Sequence, residues 1–139
     1  MNEVDQMTKD DKTNPVRRIL EEVWNQKQLN LLPDLCHSNM RFHLSEGYIE
    51  GRDRLRDEVI IPTMEAFPDI YHTIDELITE GDRIAMKYTG SGTHENDFDG
   101  KQATGNRLEY KGVTIFHLKD VKVDEVWNYS NWSEMFAAL

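Results

Sequence analysis

The stretch GVTIFHLKDVKVDEVWNYSNW, residues 112–132, decides the fold because it predicts two long β-strands joined by a tight turn. Apolar and polar residues alternate on both sides of Lys119-Asp120-Val121, as expected for strands that bury one face. The stretch also places His117, Trp127, Tyr129 and Asn131 where aliphatic side chains are usual. The hairpin is therefore either an ordinary sheet core or the wall of a pocket.

The rest of the chain places helices before strands. A cap at Thr13-Asn14-Pro15 and apolar residues at helical spacing predict a first helix up to residue 24. Residues 29–36 predict a short second helix and residues 52–67 a third, in which Pro62 predicts a kink or a break. Alternation then predicts strands over residues 70–79, 83–94, 107–118 and 121–131, with a shorter pair around Ser45-Glu46-Gly47. This order predicts an α+β fold with the helices packed on one face of a curved sheet.

Length and charge limit the classes of function. A chain of 139 residues, 38% hydrophobic and 30% charged, predicts one globular domain over residues 14–139 after a frayed segment at residues 1–13. The net charge of −10 disfavours nucleic acid and anionic membrane surfaces as partners. The N-terminal residues are too charged for a signal peptide, and no window approaches the roughly 18 apolar residues of a membrane span. We therefore expect a cytoplasmic protein with no nucleic-acid and no membrane partner.

Strand parity predicts a pocket. One face of residues 83–94 carries an apolar series that ends in a histidine: Ile84, Met86, Tyr88, Gly90, Gly92 and His94. On the last strand, strict alternation puts five residues on one side: Val123, Glu125, Trp127, Tyr129 and Asn131. A sheet lined by such large side chains with polar atoms, and only partly covered by helices, would enclose a cavity suited to a small hydrophobic molecule.

Common catalytic and metal motifs are missing from the sequence. The five histidines, His37, His43, His72, His94 and His117, show no metal-ligand spacing, and the single cysteine, Cys36, has no partner. No phosphate-binding glycine loop, nucleophile elbow or dinucleotide fingerprint is present. We therefore predict no metal and no cofactor.

Six motifs carry a resemblance to a known family. They are Ala66-Phe67-Pro68-Asp69, Gly81-Asp82-Arg83-Ile84, Gly92-Thr93-His94, Thr104-Gly105, Phe116-His117 and residues 122–127, KVDEVW. With these motifs the chain resembles the SnoaL-like polyketide cyclases of the nuclear transport factor 2-like superfamily. The resemblance covers about residues 14–131 and implies a cone-shaped α+β barrel, in which a strongly curved antiparallel sheet wraps over N-terminal helices. It also implies pairing of two copies through the sheet, and hence a homodimer.

The resemblance implies cofactor-free acid–base chemistry, an intramolecular aldol cyclisation of an aromatic polyketide ester. The family uses a histidine, which falls on His117, and an aspartate fourteen positions later, which falls on Asn131 here. Asparagine cannot take up a proton near neutral pH. His117 or His94 would then act as the base, with Asn131 orienting the substrate. We expect six residues to contact the ligand: Trp24, His43, Phe67, Tyr88, Trp127 and Tyr129.

Three hypotheses for the function stay open at this point. The protein is a cyclase-like enzyme, or another proton-transfer enzyme, whose base is not the family's aspartate. Alternatively, its pocket binds a small apolar molecule without chemistry, as loss of the carboxylate would predict. In the third, the domain serves as an interaction module that dimerises through its sheet. The last hypothesis is compatible with either of the others.

Overall fold

A helical layer precedes and closes a single sheet in the computed structural model, which describes residues 9–139, with side chains from Thr13 onward. Helix α1 (Lys9–Arg18) continues directly into a π-helical turn, Ile19–Trp24. A 3-10 turn (Leu29–Leu31) leads into α2 (Leu32–Leu35). The next helical stretch comprises α3 (Arg52–Leu55), a π-helical turn (Arg56–Ile60) and α4 (Ile61–Ala66), and α5 (Trp132–Ala137) follows the last strand.

The sheet has six strands in the spatial order β2-β1-β6-β5-β4-β3. The strands are β1 (Cys36–Leu44), β2 (Gly47–Glu50), β3 (Tyr71–Glu80), β4 (Arg83–Thr93), β5 (Arg107–Lys119) and β6 (Lys122–Ser130). All neighbours pair antiparallel except β1 and β6, which are parallel. The predicted α+β class with a curved sheet and N-terminal helices is confirmed.

The two faces of the sheet differ because alternate residues point to opposite sides. On β4, Ile84, Met86 and Tyr88 are buried, and so are Gly90 and Gly92. This is the inner face that alternation predicted, and it packs under the helices. The fully buried side chains Val16, Val23 and Phe67 come from those helices and the segment that follows them. The opposite face, which we call the outer face, carries the residues in between.

A β-bulge changes the parity of β6. His117 pairs with Glu125, but the next residue of β5, Leu118, pairs with Val123, so Asp124 is an extra residue. Val123 and Val126 are therefore both buried on the inner face, at 0% and 1% exposure. The expectation that Val123 shares a side with Glu125, Trp127, Tyr129 and Asn131 is wrong, because one inserted residue reverses which side chains point inward.

The helices also differ in detail from the sequence prediction. The segment predicted to be frayed, residues 1–13, overlaps helix α1, which begins at Lys9, and its residues 1–8 lie outside the described residues. The predicted break at Pro62 is instead a π-helical turn just before it, in a helical stretch that continues to Ala66. Proline lacks an N–H and crowds the carbonyl four residues earlier, and the wider turn relieves both constraints. Within residues 9–139, no helix is both long and apolar enough to cross a membrane.

Candidate functional site

A cavity of about 1080 Å³ lies between the inner face of the sheet and the helices. Its volume lies slightly above the range of roughly 300–1,000 Å³ for small-molecule sites. Most of its wall is apolar, with side chains from helices and strands that include Ile19, Leu32, Met40, Phe42, Leu44, Leu55, Val59, Phe116 and Val126. Such a wall suits a largely apolar molecule.

Five polar side chains form a cluster in this apolar wall: His72, Tyr88, Tyr110, Thr114 and Asn128. The imidazole Nε2 of His72 is hydrogen-bonded to the hydroxyl of Tyr110. Tyr88 donates its hydroxyl proton to Asn128 Oδ1 at 2.8 Å, and Thr114 Oγ1 donates to the same oxygen at 3.1 Å. The strands β3, β4, β5 and β6 each supply at least one member, so the sheet itself fixes the cluster.

Two glycines give the tyrosines their positions. Gly90 lies directly across from Tyr110, and Gly112 lies across from Tyr88, in the β4–β5 ladder. A Cβ atom on Gly90 would stand 2.4 Å from Tyr110 Cζ, and one on Gly112 would stand 2.7 Å from the Tyr88 hydroxyl. Both distances are far shorter than carbon–carbon or carbon–oxygen contacts allow. Each tyrosine ring therefore lies over the backbone of a glycine, where any side chain would displace it.

Burial sets the protonation states of the cluster. It lowers the pKa of His72 to about 4, because an imidazolium would lose its hydration there. The same effect raises the pKa of Tyr110 far above its usual value, with a smaller contribution from Tyr88, whose own pKa is also raised by burial. Near neutral pH the cluster therefore contains an uncharged imidazole and two protonated phenols. His72 Nδ1 is buried and has no hydrogen-bond partner among residues 9–139.

The charged residues around the cavity are acidic. Exposed carboxylates stand among its lining residues: Glu46, Glu58, Glu65, Asp97 and Asp99. No lysine or arginine belongs to the lining in the described part of the chain. This arrangement repels anionic molecules and leaves neutral ones unaffected.

The structure brings two of the predicted site residues, Trp24 and Tyr88, into the cavity wall. Tyr88 is a member of the polar cluster. The indole of Trp24 meets the imidazole of His72 edge to face, with 5.0 Å between the ring centroids. Both side chains therefore line the cavity, and their contact with a ligand stays a prediction.

Four other predicted residues, His43, His117, Trp127 and Tyr129, lie on the outer face. The ring of Trp127 lies between those of His43 and His117, at centroid distances of 4.9 and 4.5 Å. His43 is paired with Glu125 at 2.7 Å, and Tyr129 is 56% exposed. The prediction that His117 and Trp127 point into the cavity is wrong, because their neighbours Phe116, Leu118 and Val126 occupy the inner face. We therefore assign no role in the cavity to His117.

The last three predicted residues, Asn131, His94 and Phe67, do not line the cavity either. Asn131 follows β6, and its side-chain oxygen accepts a hydrogen bond from the Lys111 amide at 2.8 Å. The ring of Phe67 stacks on that of His94 at 5.3 Å. His94 Nδ1 lies 3.3 Å from the amide nitrogen and 3.1 Å from the hydroxyl oxygen of Thr104, and these contacts hold the loop after β4. His94 is fully buried and holds this loop, and the predicted orientation of His94 and Asn131 into the cavity is wrong.

The family's spacing of fourteen residues recurs at a pair that does face the cavity. Thr114 and Asn128 are fourteen apart (128 − 114 = 14), lie opposite each other in the β5–β6 ladder and share a hydrogen bond. Neither side chain ionises near neutral pH. The titratable groups of the cluster are instead His72, Tyr88 and Tyr110. Sequence reasoning missed His72, although its partner across the ladder, Gly90, stood on the predicted inner face.

Residues 13–139 contain no group of three or more His, Cys, Asp and Glu side chains arranged to hold a metal ion. The buried Cys36 thiol has its pKa raised to about 12 by burial, which keeps it protonated. The chemistry available in the buried polar cluster is therefore that of an imidazole, two phenols, a hydroxyl and an amide, and the exposed part of the lining adds the five carboxylates.

Comparisons with known proteins agree with this fold. The family model of the SnoaL-like polyketide cyclases matches residues 14–139, whereas no curated protein matches the chain. Among solved structures, a proposed SnoaL-like polyketide cyclase from Jannaschia sp. CCS1 is similar at a TM-score of 0.84 and 20% identity, covering 92% of this chain and 90% of that one. AclR, a proposed hydroxylase from Streptomyces galilaeus, is similar at a TM-score of 0.82 and 21% identity, covering 94% of this chain and 85% of that one.

IdmH, a proposed polyketide cyclase from Streptomyces antibioticus, is similar at a TM-score of 0.78 and 24% identity, covering 91% of this chain and 96% of that one. These likenesses establish the fold. The family match extends from the first helix to the last residue and includes every strand of the sheet. This chain belongs to the SnoaL-like polyketide cyclase family.

Proposed function

We propose that the protein is a cofactor-independent enzyme that moves a proton on a hydrophobic carbonyl compound, by intramolecular aldol cyclisation or a related isomerisation. The observation that carries this proposal is the buried His72–Tyr110 pair in an otherwise apolar cavity, with one imidazole nitrogen left without a partner. A perturbed, buried titratable pair of this kind is typical of a reaction centre. The carboxylates around the cavity favour an uncharged ligand such as a ketone or an ester.

The two residues divide the chemistry between them. In one tautomer His72 donates from Nε2–H to the Tyr110 oxygen and keeps a lone pair on Nδ1, which is buried in this structure. Once a bound ligand reaches Nδ1, this lone pair accepts a proton from a carbon next to the carbonyl. The C–H electrons move onto the carbonyl oxygen, and Tyr110 donates its hydroxyl proton in a hydrogen bond to the resulting enolate. The enolate then attacks a second carbonyl or takes the proton back at another position, and the imidazolium of His72 returns its proton. This step requires no metal and no redox cofactor.

A second candidate function is binding without catalysis. The observation in its favour is that Thr114 and Asn128 occupy the cavity-facing pair with the family's spacing, and neither is a base. Asn128 already accepts two hydrogen bonds, so the site can also be described as a satisfied polar patch that orients a ligand. An exchange experiment separates the two functions.

The test is deuterium incorporation at an acidic carbon. Aromatic β-keto esters serve as probes in D₂O, with exchange followed by ¹H NMR, and their binding is followed by fluorescence of Trp24 and Trp132, which line the cavity. The wild type is expected to accelerate exchange, and Tyr110→Phe to slow it by roughly 10²-fold or more, since one oxyanion donor is lost. If the probes bind but their deuterium exchange is not accelerated, the proposed enzymatic function is refuted and the binding function is supported.

The outer face supports a homodimer as the assembly. A registered row of mostly apolar residues crosses all six strands: Ile78, Ala85, Ile115, Trp127, His43 and Tyr48. Ile78 is 59% exposed and Tyr48 49%. The adjacent row contains carboxylates, arginines and a histidine, in the order Glu80, Arg83, His117, Glu125, Arg41 and Glu50. An apolar band beside a row with charges of both signs suits pairing with a second copy, since exposed apolar patches mark interaction surfaces.

Ile115→Arg is expected to convert the dimer into a monomer, because Ile115 lies in the middle of the row and a buried unpaired charge costs several kcal/mol. Light scattering after size-exclusion chromatography measures the mass. Val121→Arg provides the control, since Val121 is 37% exposed but lies in the turn between β5 and β6. A monomeric wild type, or an Ile115→Arg variant that remains dimeric, would argue against this interface.

A further inference from the structure

Asn25 holds the backbone of His72 from a distance of 47 residues along the chain. Its side-chain Nδ2 donates to the carbonyl oxygen of His72 at 2.8 Å, and its Oδ1 accepts from the amide of His72 at 2.7 Å. Strand β3 lies at an edge of the sheet, so these two groups point away from β4 and have no strand beside them. The carboxamide of Asn25 therefore replaces a neighbouring strand at this single residue.

The preceding residue fixes the ring of His72. Trp24 places its indole edge to face on the imidazole, so consecutive residues contact the main chain and the side chain of the same histidine. Trp24 is the last residue of the π-helical turn Ile19–Trp24 and Asn25 follows it, with the Asn25 amide bonded to the carbonyl of Leu20, five residues earlier. A π-helical turn rotates the residues after it relative to an α-helix. The wider π-helical turn thereby places Trp24 and Asn25 against β3.

We propose that Asn25 is a positioning residue that fixes the imidazole of His72 in the cavity wall, with its Nε2 on the Tyr110 hydroxyl. The inference rests on the proposed function of the His72–Tyr110 pair and deepens it. The only described hydrogen bond of the imidazole is the one to Tyr110, so the backbone and the Trp24 contact determine where the ring sits. Asn25 does not line the cavity and does not touch a ligand there.

The first test measures His72 without requiring any activity. In wild type, ¹⁵N NMR of the imidazole is expected to show an uncharged ring down to about pH 4, since burial lowers its pKa and its titratable neighbours, Tyr88 and Tyr110, stay protonated. In Asn25→Ala the edge of β3 loosens and water reaches the ring, so the pKa is expected to rise by about one unit or more. Asn131→Ala removes a comparable side-chain bond to a backbone amide outside the cavity and is expected to leave His72 unchanged.

Equal pKa values for His72 in wild type and Asn25→Ala, or equal shifts in both variants, would overturn the proposal. If Asn25→Ala does not fold, amide hydrogen exchange of the wild type tests whether Asn25 holds His72. If Asn25 holds His72, the His72 amide is expected to exchange at least about tenfold more slowly than the other β3 amides that point away from β4. The reason is that the His72 amide is bonded to Asn25 Oδ1, whereas the others have no such acceptor. Exchange as fast as at those amides would likewise overturn the proposal.

The kinetic test separates this inference from the proposed function. If turnover is found, Asn25→Ala is expected to lower kcat about 10- to 100-fold with a less than roughly threefold change in KM, because a misplaced base slows the chemical step more than binding. A rise in KM at unchanged kcat would overturn the positioning role. If no turnover is found, the proposed function fails, whereas the NMR comparison still decides whether Asn25 holds His72.

Discussion

Replacement of His72 by glutamine is expected to lower kcat by about 10²- to 10⁴-fold, the usual contribution of a positioned general base. Glutamine retains a hydrogen-bonding group near the Tyr110 hydroxyl but has no basic nitrogen at neutral pH. Steady-state turnover of whichever probe shows wild-type exchange provides the measurement. KM is expected to change little, because the apolar wall that holds the ligand stays in place.

The pH profile identifies the base independently of the substitution. Because burial lowers the pKa of His72 to about 4, the imidazole stays uncharged and active through neutral pH. The value of kcat/KM is therefore expected to be flat from neutral pH down to about pH 5 and to fall as the pH drops through about 4. Burial raises the pKa of Tyr110, so no loss is expected on the alkaline side below about pH 10.

His117→Gln is the matched control for this prediction, since it makes the same change on the outer face. It is expected to leave kcat and the pH profile unchanged. An acid limb near pH 6.5, or a loss of turnover in His117→Gln but not in His72→Gln, would contradict the assignment of the base to His72. The first result would point to a histidine with an ordinary pKa.

The sequence allowed the α+β class and the inner face of β4 to be predicted because β4 alternates without interruption and its pattern is local. The same rule failed on β6, where Asp124 is an extra residue. A bulge of one residue leaves the alternating pattern on each side intact and reverses its sense, so Trp127 on β6 was placed in the cavity. His117 lies on β5, where buried and exposed residues alternate around it without such an insertion, and its predicted place in the cavity came from the family resemblance. A pattern of residue types cannot locate such an insertion when both faces carry large side chains.

The site itself depends on contacts that no local pattern encodes. His72 and Tyr110 lie 38 residues apart, and Asn25 and His72 lie 47 apart. The family resemblance indicated a histidine and a polar partner fourteen positions later, and the fold places Thr114 and Asn128 in that relation inside the cavity. The titratable residues of this chain instead come from β3 and from the cavity-facing positions of β4 and β5. The resemblance thus predicted the family and the fold, but not which residues form the polar cluster of the cavity.

Gly90→Ala is expected to destabilise the fold by about 1–3 kcal/mol, the usual cost of overpacking a well-packed interior. The new Cβ would stand 2.4 Å from Cζ of Tyr110 and 2.7 Å from its hydroxyl oxygen. The tyrosine ring cannot simply turn away, because Trp132 packs against it at 4.8 Å and Tyr88 at 6.1 Å between centroids. The ring must therefore leave His72, and binding and turnover of any probe are expected to fall together with stability.

Urea denaturation of four variants isolates this contact. Gly47→Ala is the matched control, because its Cβ would stand 3.8 Å from the nearest atom, Leu44 Cδ1, which is an ordinary contact. Its effect is expected to stay within about 0.5 kcal/mol. Tyr110→Leu removes the ring that the new methyl group would strike, so Gly90→Ala should cost at least about 1 kcal/mol less in that background than in wild type. Additive effects of the two substitutions on the free energy of unfolding would show that Gly90 does not determine the position of the Tyr110 ring. Other residues of the sheet would then hold Tyr110 against His72.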